Sequence, residues 1–75
     1  MPHDVIATGN HAEIVEWLEE NVSKVFWHRS IIEWKGNGWS MHLYGYNQDF
    51  PYQPLKFLIR LDSEKHAILC ALRWS

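Results

Sequence analysis

Residues 31–43 read Ile31-Ile32-Glu33-Trp34-Lys35-Gly36-Asn37-Gly38-Trp39-Ser40-Met41-His42-Leu43. Gly36, Asn37 and Gly38 tolerate the positive φ that a tight hairpin needs. The stretch therefore predicts two antiparallel strands, over 24–35 and 39–46. With Asn37-Gly38 as a two-residue loop, Gly36 faces Trp39, Trp34 faces Met41 and Ile32 faces Leu43. Side chains alternate along a strand, so Ile32, Trp34, Trp39, Met41 and Leu43 share one face, and it is apolar enough to be the core. The other face carries Trp27, Arg29, Ile31 and Glu33 on one strand and Ser40, His42, Tyr44 and Tyr46 on the next. A slip of one residue would exchange the two faces, so the turn decides which is buried.

Outward from the hairpin, residues 11–22 predict a helix. Asn10 is a good N-cap and Glu13 sits three residues on, in a capping-box pattern. Ile14, Val15, Leu18 and Val22 form an apolar stripe, while Glu13, Glu16, Glu19 and Glu20 point away from it. That acidic face is expected to be a solvated surface; mimicry of nucleic-acid phosphates is the functional counterpart. Before it, Val5-Ile6-Ala7 fits a brief strand or an arm within residues 1–9. After the hairpin, residues 47–54 form a loop. Pro51 and Pro54 cannot donate ladder hydrogen bonds, and Phe50 and Tyr52 are either anchors or presented to a partner.

Residues 55–61 predict a third strand, with Leu55, Phe57, Ile59 and Leu61 on one face and Lys56, Leu58 and Arg60 on the other. Residues 63–73 satisfy two readings. As a helix, Asp62 or Ser63 is the N-cap, Ala67, Ile68, Ala71 and Leu72 line one side, and Lys65, His66 and Arg73 line another. As a fourth strand, Ile68, Cys70, Leu72 and Trp74 alternate. Propensity and the cap favour the helix. The fold expected is α+β: a two-layer sandwich of order α-β-β-β-α, a three-stranded antiparallel meander with both helices on one face.

Composition bounds the function. The 75 residues make one domain, 1–75, and a domain this small buries only about 60% of its unfolded surface. Five tryptophans, three tyrosines and three phenylalanines supply large side chains for so thin a core. A net charge of −2 with 21% charged residues matches neither a basic nucleic-acid binder nor an acidic disordered chain. The single cysteine, Cys70, allows no internal disulfide, which fits a reducing compartment. Met1-Pro2-His3-Asp4 lacks the basic start of a signal peptide, and no apolar run approaches the ~20 residues of a membrane span. The expected location is the cytoplasm, without membrane attachment.

Chemistry-bearing motifs are sparse. His3, His11, His28, His42, His66 and Cys70 include no Cys-x-x-Cys pair and no His-Glu-x-x-His motif, so no metal or other cofactor is expected. His66 and Cys70 share a helix face, but the thiol lies in an apolar run where thiols are inert. No glycine-rich phosphate loop precedes a helix. The reading is therefore non-enzymatic. The open sheet face is the informative feature, because it interleaves rings with Arg29, Lys56 and Arg60. Trp27, Arg29, Tyr44, Tyr46 and Arg60 are the binding candidates there, with Phe50 and Tyr52 in the loop next. Rings beside arginines make protein-binding hot spots. The same face could stack unpaired bases, the alternative partner being single-stranded nucleic acid. A homodimer through this face or an edge strand is the third reading.

Two resemblances add to this. The order helix-strand-strand-strand-helix resembles a double-stranded RNA-binding domain. Ser63-Glu64-Lys65-His66 stands where that family places several lysines, and Gly36-Asn37-Gly38-Trp39 where it carries a Gly-x-His loop. The resemblance thus extends to topology and not to the RNA contacts. Residues 57–74, a strand followed by Asp62-Ser63-Glu64-Lys65-His66-Ala67 and an apolar run ending Leu72-Arg73-Trp74, resemble the C-terminal part of small bacteriophage-encoded proteins. That resemblance implies a viral protein acting in the host cytoplasm as an inhibitor or regulator of a host complex, such as a CRISPR defence effector.

Overall fold

The computed structural model describes residues 2–30, 32–44 and 56–74. The order along the chain is β1 (His3–Thr8), α1 (His11–Asn21), β2 (Val25–Arg29), β3 (Glu33–Gly36), β4 (Trp39–Leu43), β5 (Lys56–Leu61) and α2 (Glu64–Trp74). The strands form one antiparallel sheet in the order β1-β5-β4-β3-β2. Two helices on a five-stranded sheet make an α+β fold, and the last element is a helix.

The sheet is larger than the three strands read from the sequence, for two reasons. Residues 3–8 are a full edge strand, because Val5 and Ala7 bury themselves opposite Ile59 and Phe57 of β5. Residues 24–35, expected as one strand, are broken at Ser30, whose φ is 50°. The N–H of Ile32 donates to the Arg29 carbonyl at 3.0 Å and closes a turn there. A left-handed serine costs about 1–2 kcal/mol. The two ladder-paired strands on either side of the turn over-determine it, and no glycine or asparagine announces it.

The hairpin register is as expected: Gly36 pairs with Trp39 and Trp34 with Met41. Ile32 is displaced from the core into the turn and is 42% exposed. It still meets Leu43 through its backbone, since the Leu43 N–H donates to its carbonyl at 2.8 Å. Gly36 is required by a close approach. A Cβ at that position would collide with the Trp39 indole, which lies across it. That indole N–H donates to the Ser23 carbonyl at 2.9 Å, and the Ser23 hydroxyl donates to the Asn37 carbonyl at 2.7 Å. The segment between α1 and β2 is thereby tied to the β3–β4 turn. Gly38, at φ 90°, supplies the positive φ of that turn.

Both helices lie on the core face of the sheet. Ile14 and Leu18 of α1 and Ala67 and Cys70 of α2 join Val5, Ala7, Trp34, Trp39, Met41, Phe57, Ile59 and Leu61 in a single cluster. His11, at the start of α1, stacks on Trp34 with centroids 5.6 Å apart, and Phe57 meets Trp34 edge-on at 5.8 Å. Asn10 caps α1, its side-chain oxygen accepting from Ala12 N at 2.8 Å. Ser63 opens α2, its carbonyl accepting from Ala67 N at 3.0 Å.

Two expectations for the helix faces are corrected. On α2 the buried side is Ala67 and Cys70, with Ala71 and Trp74 partly covered, while Ile68 and Leu72 point outward and Leu72 is 78% exposed. Helical spacing fixes which residues share a stripe, but α2 is apolar on more than one side, so contact with β1 and β5 selects the stripe. On α1, Glu19 is half-buried and engaged, unlike the exposed Glu13, Glu16 and Glu20. Its carboxylate accepts from Val25 N at 3.0 Å and satisfies the first donor of edge strand β2.

Candidate functional site

The face of the sheet away from the helices is built from two cross-strand rows, which follow directly from the pairing. The first runs Arg29–Glu33–His42–Leu58–Ile6, and the second Trp27–Lys35–Ser40–Arg60–Asp4. Neighbours in a row have Cβ atoms about 5 Å apart, and Lys35 with Trp27 and Arg60 with Asp4 interact across that spacing. Arg29, Lys35, Lys56 and Arg60 lie on this face against Asp4 and Glu33, whereas Glu13, Glu16, Glu19 and Glu20 belong to α1 in the other layer. The chain is acidic overall, yet this surface carries more cations than carboxylates.

Strand β2 departs from strict alternation. Val25 pairs with Gly36 and Trp27 with Lys35, so Phe26 is an extra residue in a β-bulge. Strict alternation would send Phe26 and Trp27 to opposite faces. With two residues set against one, Phe26 instead stays beside the outer-face residues Lys35, Ser40 and Arg60, with which it lines one concavity. Phe26 is 71% exposed and Trp27 41%. Lys35 Nζ sits 5.1 Å from the Trp27 ring centre, a cation–π contact across the strands.

Of the residues singled out from the sequence, Trp27, Arg29 and Arg60 are on the outer face, and all are exposed. Tyr44 is 50% exposed just past β4, where its N–H donates to the Lys56 carbonyl at 2.8 Å. They do not form one tight patch. Trp27 and Arg29 belong to the β2 edge, Arg60 lies three strands away across the sheet, and Tyr44 lies one pleat beyond the Arg29 row. Arg60 is also engaged: its Nε donates to Asp4 Oδ1 at 3.0 Å in an exposed ion pair. The arginine beside it holds the Asp4 carboxyl below its ordinary range, chiefly through that hydrogen bond. Tyr46, Phe50, Tyr52, the 47–54 loop and Ile31 lie outside the described residues.

Phe26 and Lys35 were not among the sequence candidates. Lys35 shares the parity of Glu33 and was legible from the hairpin register. Phe26 was not, because a bulge needs a partner strand to define it. The only sequence signal is two adjacent large rings, Phe26-Trp27, in a segment where only alternate positions can be buried.

Among the described residues, two concavities flank this surface and the helix layer. One, of about 250 Å³, lies where the β3–β4 turn meets the end of β5, lined by Phe26, Lys35, Ser40, Arg60 and Asp62 with the turn backbone. The other, of about 260 Å³, lies between the helices, lined by Glu13, Glu16, Trp17, Glu20, Arg73 and Trp74. In the second the Arg73 guanidinium already covers the Trp74 ring at 4.4 Å, so the groove has an internal cation.

Cys70 is fully buried, and burial pushes its thiol up to about 11. It is a protonated thiol at neutral pH and not a nucleophile prepared by His66. Among the described residues no three His, Cys, Asp or Glu side chains come together as a metal cage, and no helix is long and apolar enough to cross a membrane. Comparison with protein-family models, curated proteins and solved structures finds no match to this chain.

Proposed function

We propose that the chain is a small non-catalytic protein-interaction module that engages its partner through the outer sheet face, centred on Phe26, Trp27 and Lys35 and extending to Arg29, Tyr44 and Arg60. The observation that carries this reading is the bulge in β2, which sets two large exposed rings side by side at an open edge with a cation across from them. Rings of this kind remove much area from water at small entropic cost when a partner covers them, and a bulged edge resists indiscriminate strand pairing. A viral origin and a host defence complex as target rest on the resemblance of residues 57–74 alone.

A second reading, single-stranded nucleic acid on the same face, draws support from the charge segregation between that face and α1. One experiment separates the two. The tagged full chain is used to capture partners from bacterial lysate, with and without nuclease, beside a Phe26→Ala/Trp27→Ala variant. Expected is a stoichiometric protein that survives nuclease and is lost with the variant, whose melting temperature stays close to that of the parent. Recovery that vanishes with nuclease, or capture unchanged in the variant, overturns the reading.

A further inference from the structure

We propose that the concavity at the β3–β4 turn receives a single carboxylate of the protein partner, with an apolar side chain beside it lying on Phe26. This deepens the interaction reading above and rests on it. Lys35, Ser40 and Arg60 are consecutive in one cross-strand row, so two cations flank a hydroxyl on one open surface. Each cation is held from outside the notch. Arg60 is fixed through its Nε by Asp4 on the β1 side, and no described residue hydrogen-bonds its two terminal nitrogens. Lys35 is held over the Trp27 ring on the β2 side, a contact that uses no hydrogen-bond acceptor. Guanidinium and ammonium are thus partly immobilised with donors to spare, which lowers the ordering cost of binding an oxygen anion.

The ligand's charge follows from the walls. The concavity holds about 250 Å³ and is open to solvent, so it seats one side chain projecting from a larger partner. Phe26, 71% exposed, forms one wall and offers a ring face to an apolar neighbour. Carboxylates are interleaved with the cations: Asp4 on Arg60, Asp62 in the notch and Glu33 opposite Arg29. A nucleic acid repeats its charge at every nucleotide and would meet these carboxylates along its path. A single carboxylate seated between Lys35 and Arg60 has one carboxylate in the same notch, Asp62, at the turn end where the Asp62 N–H donates to the Gly38 carbonyl at 3.0 Å. The arrangement therefore favours an acidic residue next to an aromatic or aliphatic one.

The test is an NMR titration of the isotope-labelled full chain with N-acetyl-Asp-Phe-amide, its isosteric control N-acetyl-Asn-Phe-amide, and oligothymidylate. Expected are saturable shifts of the Lys35, Gly36 and Ser40 amides with the aspartyl peptide, in the millimolar range of a fragment. The asparaginyl peptide should bind about two- to fivefold more weakly, the worth of one exposed charged contact. Lys35→Gln and Arg60→Gln should each weaken the aspartyl peptide similarly while leaving the remaining spectrum in place. Equal response to both peptides, no saturable shift at these amides, or a tighter response to oligothymidylate there overturns the proposal. If the notch fails while a captured partner still depends on Phe26 and Trp27, the interaction reading stands without it. If the notch binds the aspartyl peptide selectively while capture ignores those rings, the carboxylate site stands and the ring-centred reading falls.

Discussion

Strands β5 and β2 carry similar raw material and reach opposite ends. Lys56–Leu61 alternates cleanly, with Phe57, Ile59 and Leu61 fully buried and Lys56 and Arg60 exposed. Val25–Arg29 also holds large rings, yet every residue after Val25 is exposed. The difference lies in their neighbours. β5 is hydrogen-bonded on both sides, to β1 and β4, and helices cover its apolar face. β2 has a neighbour on one side, and its core-side residue His28 lies past the covered area, opposite Trp34. Alternation decides burial where a helix covers the strand: β1 is an edge too, yet it packs against α2 and buries Val5 and Ala7 in strict alternation. At an edge the chain is free to accept an extra residue, and Phe26 is that residue.

The widest way to break this comparison is to truncate one phenylalanine in each strand. Phe57→Ala removes a ring packed edge-on against Trp34 in the centre of the core and should cost about 3–5 kcal/mol. For a domain this size that is expected to unfold most of the population at room temperature. Phe26→Ala should stay within about 0.5 kcal/mol of the parent in urea denaturation. A comparable loss in both would mean that Phe26 is structural and that the exposed-ring site is misassigned.

Next in size is Gly36→Ala, which tests how firmly the inner hairpin holds the strand that β2 leans on. The added methyl displaces the Trp39 indole from Gly36 and strains its bond to the Ser23 carbonyl. The expected cost is about 1–3 kcal/mol, with a shifted tryptophan emission. An unchanged melt and spectrum would show that the indole has another place to lie.

Smaller again is the alkaline response of the helix that covers β5 and β1. The thiol of Cys70 ionises near 9 when unfolded and about 11 when buried. Its folded value is raised, so its contribution is fully present below pH 9 and is lost as pH rises toward 11. Relative to Cys70→Ala, the parent should lose about 1 kcal/mol of stability between pH 8 and pH 10, and alkylation of its thiol should require unfolding. Parallel curves for the two proteins would mean that the thiol reaches water in the native state.

The smallest effect is expected from Asp4→Asn on the outer side of β5. Asp4 has its folded value lowered by Arg60, so whatever the pair contributes is present above the unfolded carboxylate range and lost in acid as pH falls through the folded value. The pair is about half exposed on both sides, so neutral-pH stability should not change measurably. The variant nonetheless sharpens the notch proposal. Arg60 loses its outside anchor, and the N-acetyl-Asp-Phe-amide titration should change although the melt does not.

What the sequence by itself determined is what depends on near neighbours. Asn10 caps α1 because a side-chain oxygen reaches donors two and three residues on. The Gly36-Asn37-Gly38 turn sets the register of β3 and β4, and period-two alternation sets the faces of β5. The tertiary structure alone decided the rest, because those choices depend on partners distant in the chain. Residues 3–8 became a strand only when β5, about fifty positions away, offered an edge opposite Val5 and Ala7. Ser30 took a left-handed turn because the ladders on either side of it require the chain to reverse there. α2 buried Ala67 and Cys70, and not Ile68 and Leu72, because contact with β1 and β5 chose between apolar stripes of similar merit. Phe26 reached the outer face because a bulge exists only relative to a paired strand, and its consequence, two rings beside a row of cations, is written in the pairing and not in the order of residues.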